Sequence, residues 1–150
     1  MIRNEREYRI TKGAAKRFEE TLALMERGSA SSKLTPRKQK LVQEAVLSQL
    51  EDLKNQVRAY ERLKSGRRRH LQAKSIEELA DVLIQARIAL GLTQKELAER
   101  LAVKEQQVQR YEATGYAAAS LGRVSEVARV LGLHVSVGVP LPKRSEESRR

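Results

Sequence analysis

Five polar side chains follow one another closely in the stretch EQQVQR: Glu105, Gln106, Gln107, Gln109 and Arg110. Val108 and Tyr111 interrupt them at helical spacing, which predicts a helix with an apolar inner face and a polar outer face. Amide and guanidinium groups form bidentate hydrogen bonds with the edges of adenine and guanine. A helix face that is only solvated more often carries glutamate and lysine pairs. The stretch therefore indicates contact with the bases of DNA.

A second short helix precedes this one and must position it. Thr93 is placed as its N-cap, with Glu96 three residues later as the partner in a capping box. Residues 102–104 leave room for only a tight turn between the two helices. Ala98 is small, as it must be where two helices cross steeply through such a turn. The pattern is typical of a helix-turn-helix.

Two further helices complete this region. Ser75 and Glu78 form a predicted capping box for a helix that Gly91 ends, and Ser120 caps a later helix that Gly132 ends. Beyond it, LHVSVGVPLP alternates valine with small or polar residues, which predicts a short C-terminal β-strand. That strand either pairs with its twofold copy in a second subunit or packs on its own domain.

The first 66 residues predict a helical hairpin. One amphipathic helix would run from Thr11 to Gly28, and a second would open at Thr35 and Pro36 and continue without a breaker to Gly66. The second helix carries an apolar stripe from Leu41 to Leu63. Either the hairpin is self-contained, or part of the stripe is a surface for dimerisation or for a partner.

A basic segment separates the two regions. KSGRRRHLQAK has five basic side chains and no acid, and it is either a solvated linker or an arm that contacts phosphates. We therefore expect the hairpin over residues 1–66, a basic linker over 67–74, a DNA-binding domain over 75–140 and a disordered tail over 141–150. A net charge of +11 favours a polyanionic partner.

Enzyme chemistry finds no support in the sequence. There is no cysteine, no glycine loop that would cradle phosphates and no clustered catalytic set, and His70 and His134 are isolated. We expect no catalytic residue, no metal and no cofactor. The apolar runs are far shorter than the roughly 18 residues that a membrane-spanning helix needs, and the N-terminus lacks the apolar segment of a signal peptide. A cytoplasmic protein without a membrane partner is expected.

The run LGLTQKELAERLAVKEQQVQRYE resembles the helix-turn-helix domain of the Xre or phage-repressor class, and QQVQRYEATGYAAASLGRVSEVARVLGL is similar to HigA-like antitoxins. The resemblance covers Ile76 to Leu133. It implies a mainly α-helical chain with an N-terminal hairpin and a lambda-repressor-like domain of four to five helices. The C-terminal strand would follow that domain.

The resemblance also implies roles for single residues. Gln94 matches a glutamine that bonds a DNA phosphate and braces the reading helix, and Thr93 would join it at the phosphate. Arg87 and Glu112 match a buried ion pair. The residues expected to contact DNA are Thr93, Gln94, Lys104, Glu105, Gln106, Gln107, Arg110, Thr114 and Tyr116. Two departures weaken the match. Ala102 stands where relatives often have a turn glycine, so a strained alanine or a different turn is expected, and the loop ATGYAAAS has no basic residue for phosphate.

Together these features predict a sequence-specific transcriptional regulator, of the repressor and antitoxin-like kind, that binds a double-stranded DNA operator as a homodimer. The alternative is an antitoxin whose main role is to bind and neutralise a toxin protein, with DNA binding serving autoregulation.

Overall fold

A computed structural model describes residues 1–28, 35–67 and 70–141. These residues form six helices: α1 (Glu5–Gly28), α2 (Pro36–Lys64), α3 (Ile76–Ala89), α4 (Gln94–Arg100), α5 (Glu105–Ala113) and α6 (Leu121–Val130). Arg68 and Arg69 of the predicted basic linker lie outside the described residues, as does the predicted tail from residue 142 onward.

Helix α1 begins earlier than the sequence pattern predicts. The Glu7 amide donates to the Asn4 side-chain oxygen at 2.9 Å, so Asn4 caps the helix and Thr11 lies within it. Helix α2 begins as predicted, with Thr35 at the N-cap and Pro36 as its first residue. The two helices pack along each other over a small apolar cluster. Its buried members are Ala15, Leu22 and Leu50.

The base of the hairpin belongs to a second, larger core. Ile2 from the segment before α1 and Tyr60 and Leu63 from the end of α2 lie in the same buried cluster as Leu83 of α3 and Val127 of α6. The residues on either side of the basic segment therefore share one apolar core. This packing fixes the start of α1 and the end of α2 against the C-terminal domain.

Three predicted helix caps are present in the C-terminal domain. The Ser75 hydroxyl accepts from the Glu78 amide at 3.2 Å, and the Ser120 hydroxyl accepts from the Arg123 amide at 3.2 Å. At α4, Thr93 and Glu96 form the predicted reciprocal capping box. Each cap satisfies amide groups that a helix start leaves without a partner. Four helices, α3 to α6, result over residues 75–140.

The predicted C-terminal strand is absent. Residues 133–141 contain no strand, and Val135, Val137 and Val139 are exposed. A strand needs a neighbouring backbone to complete its ladder of hydrogen bonds, and the described part of this single chain offers none. The alternation of valines was therefore a misleading signal.

None of the helices in the described ranges combines the length and the apolar content needed to cross a lipid bilayer.

Candidate nucleic-acid interface

The turn between α4 and α5 packs the two helices against each other. Ala98 is buried at the contact, and the Val103 amide donates to its carbonyl oxygen at 3.0 Å. Ala102 adopts a φ of +53°, the left-handed conformation that disfavours a side chain. The sequence predicts either a strained alanine or a different turn at this position, and the strained alanine is present. This geometry projects the outer face of α5 away from the domain.

A buried ion pair fixes α5 from the inside. Arg87 of α3 donates to Glu112 of α5 through Nε at 2.5 Å and through Nη2 at 2.7 Å, and both side chains are almost fully buried. Nη1 of the same guanidinium donates to the Leu92 carbonyl at 2.7 Å. The pair predicted by the resemblance is thus present as a bidentate contact. It joins three segments, α3, the loop before α4 and α5.

Gln94 takes up one of the two roles that the resemblance implies, which is to brace α5. Its side chain is buried, and its amide nitrogen donates to Glu112 at 2.8 Å while its oxygen accepts from Asn4 at 3.3 Å. Glu112 thus receives a third donor in addition to the two from Arg87. Gln94 therefore braces α5.

Thr93 remains at the surface, but its hydroxyl is already engaged. The oxygen accepts from the Glu96 amide at 3.1 Å and the hydroxyl contacts the Glu96 carboxylate at 2.8 Å. The bond from the Thr93 backbone amide lowers the pKa of Glu96. The capping box therefore keeps the start of α4 ordered and leaves Thr93 exposed beside α5.

The outer face of α5 is exposed over its whole length. Every member of the predicted set on this helix and at its N-cap is accessible to solvent: Lys104, Glu105, Gln106, Gln107 and Arg110. Gln107 donates to the Tyr111 hydroxyl at 2.7 Å, and Gln109 donates to Glu105 at 2.9 Å. Within the described ranges, the side chains of Gln106 and Arg110 have no hydrogen bond or ion pair. Their polar groups are available to an outside ligand.

The two residues predicted to contact DNA from the loop after α5 lie in different environments. Thr114 is exposed, with its hydroxyl bonded to the Arg110 carbonyl at 3.0 Å. Tyr116 is 5% exposed and stacks on Tyr111 with ring centroids 5.8 Å apart, and burial raises its pKa. Its predicted place on the surface is wrong. It is the only large apolar side chain in ATGYAAAS, and that signal could have shown which residue anchors the loop.

Sequence reasoning missed two residues that support the site from a distance. The Arg3 carbonyl accepts from Arg87 Nη2 at 2.6 Å, and Asn4 donates to Gln94. Both partners lie more than 80 positions away in the chain. Nothing in the local sequence indicates either contact.

No group of three or more histidine, cysteine, aspartate or glutamate residues capable of holding a metal ion exists in the described ranges. Amides, hydroxyls, a guanidinium group and the Lys104 ammonium predominate on this surface, with the Glu105 carboxylate as its one acidic group. They suit hydrogen bonding to an extended polyanion.

Comparison with known proteins supports this interpretation for one part of the chain. No curated protein and no solved structure matches it. Residues 83–137 match the family model described as helix-turn-helix, the model of the Xre and lambda-repressor type, which covers just over a third of the chain. The matched residues run from α3 through α6 and include every residue of the exposed α5 surface. Residues 83–137 are therefore similar to a helix-turn-helix domain, and that similarity suggests a DNA-binding transcription regulator.

Proposed function

We propose that this chain is a sequence-specific transcriptional repressor of the antitoxin-like kind, which binds an operator as a homodimer and reads the major groove with α5. The observation that carries the proposal is the pairing of two features on one helix. Glu112 fixes the inner side of α5 through three hydrogen bonds, while Gln106 and Arg110 on its outer side are exposed. A rigid helix with unengaged amide and guanidinium groups suits direct recognition of base edges.

The homodimer follows from the small size of this surface. One recognition helix makes few contacts, so useful specificity needs two of them on half-sites about one DNA turn apart. The exposed valines after α6, Val135, Val137 and Val139, are apolar surface that a second copy would cover. Light scattering on the full chain should give the mass of two subunits, and V137D should reduce it to that of one. An unchanged dimer in V137D would place the interface elsewhere.

Base reading is tested with duplexes selected by the protein from a random library. Gln106→Ala should weaken binding of the selected duplex by about 1 to 3 kcal/mol and leave binding of random duplex unchanged, because base contacts carry the sequence information. Gln49→Ala, the same change on the exposed surface of α2, is the control. Equal losses on both duplexes for Gln106→Ala would remove this residue from the reading set. Failure of the parent chain to enrich any sequence would contradict the proposed function.

A second function is favoured by the far end of the hairpin. Leu24, Leu41 and Leu47 are exposed there on α1 and α2, which is apolar surface of the kind that marks an interaction site. This supports the alternative of a toxin-neutralising protein that binds DNA for autoregulation. A small gene beside this one whose expression stops growth would be the expected partner.

Co-expression of this chain with the product of such a growth-stopping gene tests that alternative directly. The parent chain should restore growth, while the double variant L41Q/L47Q should fail to do so and should still bind the selected duplex. Rescue by the double variant would show that the hairpin leucines do not contact the toxin.

A further inference from the structure

A cleft of about 900 Å³ runs beside α5, on the side away from the loop that follows it. One wall comes from the start of α1 and the other from the loop before α4 and from α5. The residues that matter here are Arg3, Arg6, Thr93, Gln94, Glu105 and Gln109. The cleft therefore joins the N-terminal helix to the surface proposed to read DNA.

Three contacts fix the position of the first wall. Ile2 is 3% exposed in the main core, the Arg3 carbonyl accepts from Arg87, and Asn4 donates to Gln94. The same two side chains, Arg87 and Gln94, also hold Glu112 of α5. The start of α1 and the recognition helix thus share one rigid support, so their relative placement is set before any ligand binds.

The charges on this wall are paired, with one exception. Glu5 accepts from Lys64 at 2.8 Å, and the Glu7 carboxylate accepts from the Arg3 amide at 2.8 Å. Arg6 is exposed and lines the cleft, and within the described residues its guanidinium has no hydrogen bond or ion pair. It is a cation beside α5 that forms no ion pair within the described residues, in a cleft that Glu105 also lines.

We infer that Arg6 contacts a phosphate of the duplex whose major groove α5 reads, so that the start of α1 is a second, backbone-binding part of the interface. The inference rests on the proposed function. The loop on the other side of α5, ATGYAAAS, contains no basic residue and offers no cation to a phosphate there. Arg6 supplies charge on the flank where the cleft opens, and such a contact adds affinity without adding sequence preference.

The experiment measures duplex affinity of the full chain against salt concentration for four proteins. Arg6→Gln removes the charge, Arg6→Lys keeps it, and Arg17→Gln makes the same change on an exposed position of α1 about 17 Å further along the helix. Each protein is titrated with the selected duplex and with a random duplex of equal length. Melting temperatures identify any variant that has lost its fold.

We expect Arg6→Gln to bind both duplexes about fivefold to tenfold more weakly at 0.1 M salt, with a slope of log K against log salt shallower by about 0.9 for each protomer. Arg6→Lys should retain the parent slope, because a phosphate accepts either cation. Arg17→Gln should behave as the parent does.

The possible results distinguish a failure of the Arg6 contact from a failure of the proposed function. If the parent binds DNA and Arg6→Gln matches Arg17→Gln in affinity and slope, the Arg6 contact is wrong while the proposed function stands. A loss confined to the selected duplex would also overturn the contact, because it would mean base reading. If the parent binds neither duplex at low salt, the proposed function and the inference fail together.

Discussion

The two regions of this molecule bury their apolar side chains to different extents. In the helix-turn-helix domain Leu83 is 1% exposed and lies in a core built from α3 to α6 and the base of the hairpin. Away from this core, the buried cluster between the described parts of α1 and α2 consists of Ala15, Leu22 and Leu50, and Leu41 is 68% exposed. Hydrophobic burial therefore stabilises the helix-turn-helix region much more strongly. The hairpin end keeps apolar surface available for another molecule.

The largest effect on the free energy of unfolding should come from replacing one buried leucine by alanine in each of the two apolar clusters. Leu83→Ala should lower the free energy of unfolding by about 4 kcal/mol, because the tightly packed site leaves a cavity, while Leu50→Ala should cost about 2 kcal/mol at the thinner cluster. Urea unfolding followed by circular dichroism gives both values. Equal losses would show that the hairpin is packed as firmly as the domain.

Loss of an ion pair should also destabilise the chain more in the helix-turn-helix region than in the hairpin. Arg87→Met should cost about 3 kcal/mol, because it leaves the fully buried Glu112 without its cation. The matched control is Lys54→Met, which removes the exposed pair with Glu19 on the hairpin and should cost less than about 1 kcal/mol. An Arg87→Met variant that melts at the parent temperature would contradict the structural importance of the buried pair.

A smaller effect of opposite sign is expected at the turn before α5. Ala102→Gly should raise the free energy of unfolding by about 0.5 to 1 kcal/mol, since relief of the positive φ outweighs the added entropy of the unfolded chain. Ala117→Gly, at an exposed loop position without a positive φ, should lower it slightly. Destabilisation by both changes would show that the turn is not strained.

The smallest effect should appear at the exposed end of the hairpin. Leu41→Gln should change the free energy of unfolding by no more than about 0.5 kcal/mol, because little apolar surface is lost from contact. Thermal melting of the isolated chain measures this. A loss above about 1 kcal/mol would mean that this leucine is covered in solution, and the contrast between the two ends would then disappear.

Local signals in the sequence were sufficient for most of the DNA-binding domain. Ser75, Thr93 and Ser120 cap the helices that they were predicted to cap, since a cap depends only on residues three positions away. The outer face of α5 was also predictable, because Val108 and Tyr111 define the opposite face by their spacing. The contact of this face with DNA remains a prediction.

Errors arose where the outcome depended on the contacts of a side chain and not on its spacing. Tyr116 was predicted at the surface that contacts DNA, but it is buried and stacks on Tyr111. The predicted strand at residues 133–141 had the right alternation but no neighbouring strand. Periodicity reports which side of an element is apolar. It does not report what will cover that side.

The bond from Arg87 to the Arg3 carbonyl has a consequence for the order in which the chain folds. It closes a loop of 84 positions, so it forms only after α3 has left the ribosome. The hairpin, whose contacts are closer in sequence, can form before that. Until α3 arrives, Ile2, Tyr60 and Leu63 remain uncovered at its base. We therefore expect the nascent chain to pass through a stage in which the hairpin is formed and prone to aggregate. Synthesis of the helix-turn-helix region then covers its exposed apolar surface.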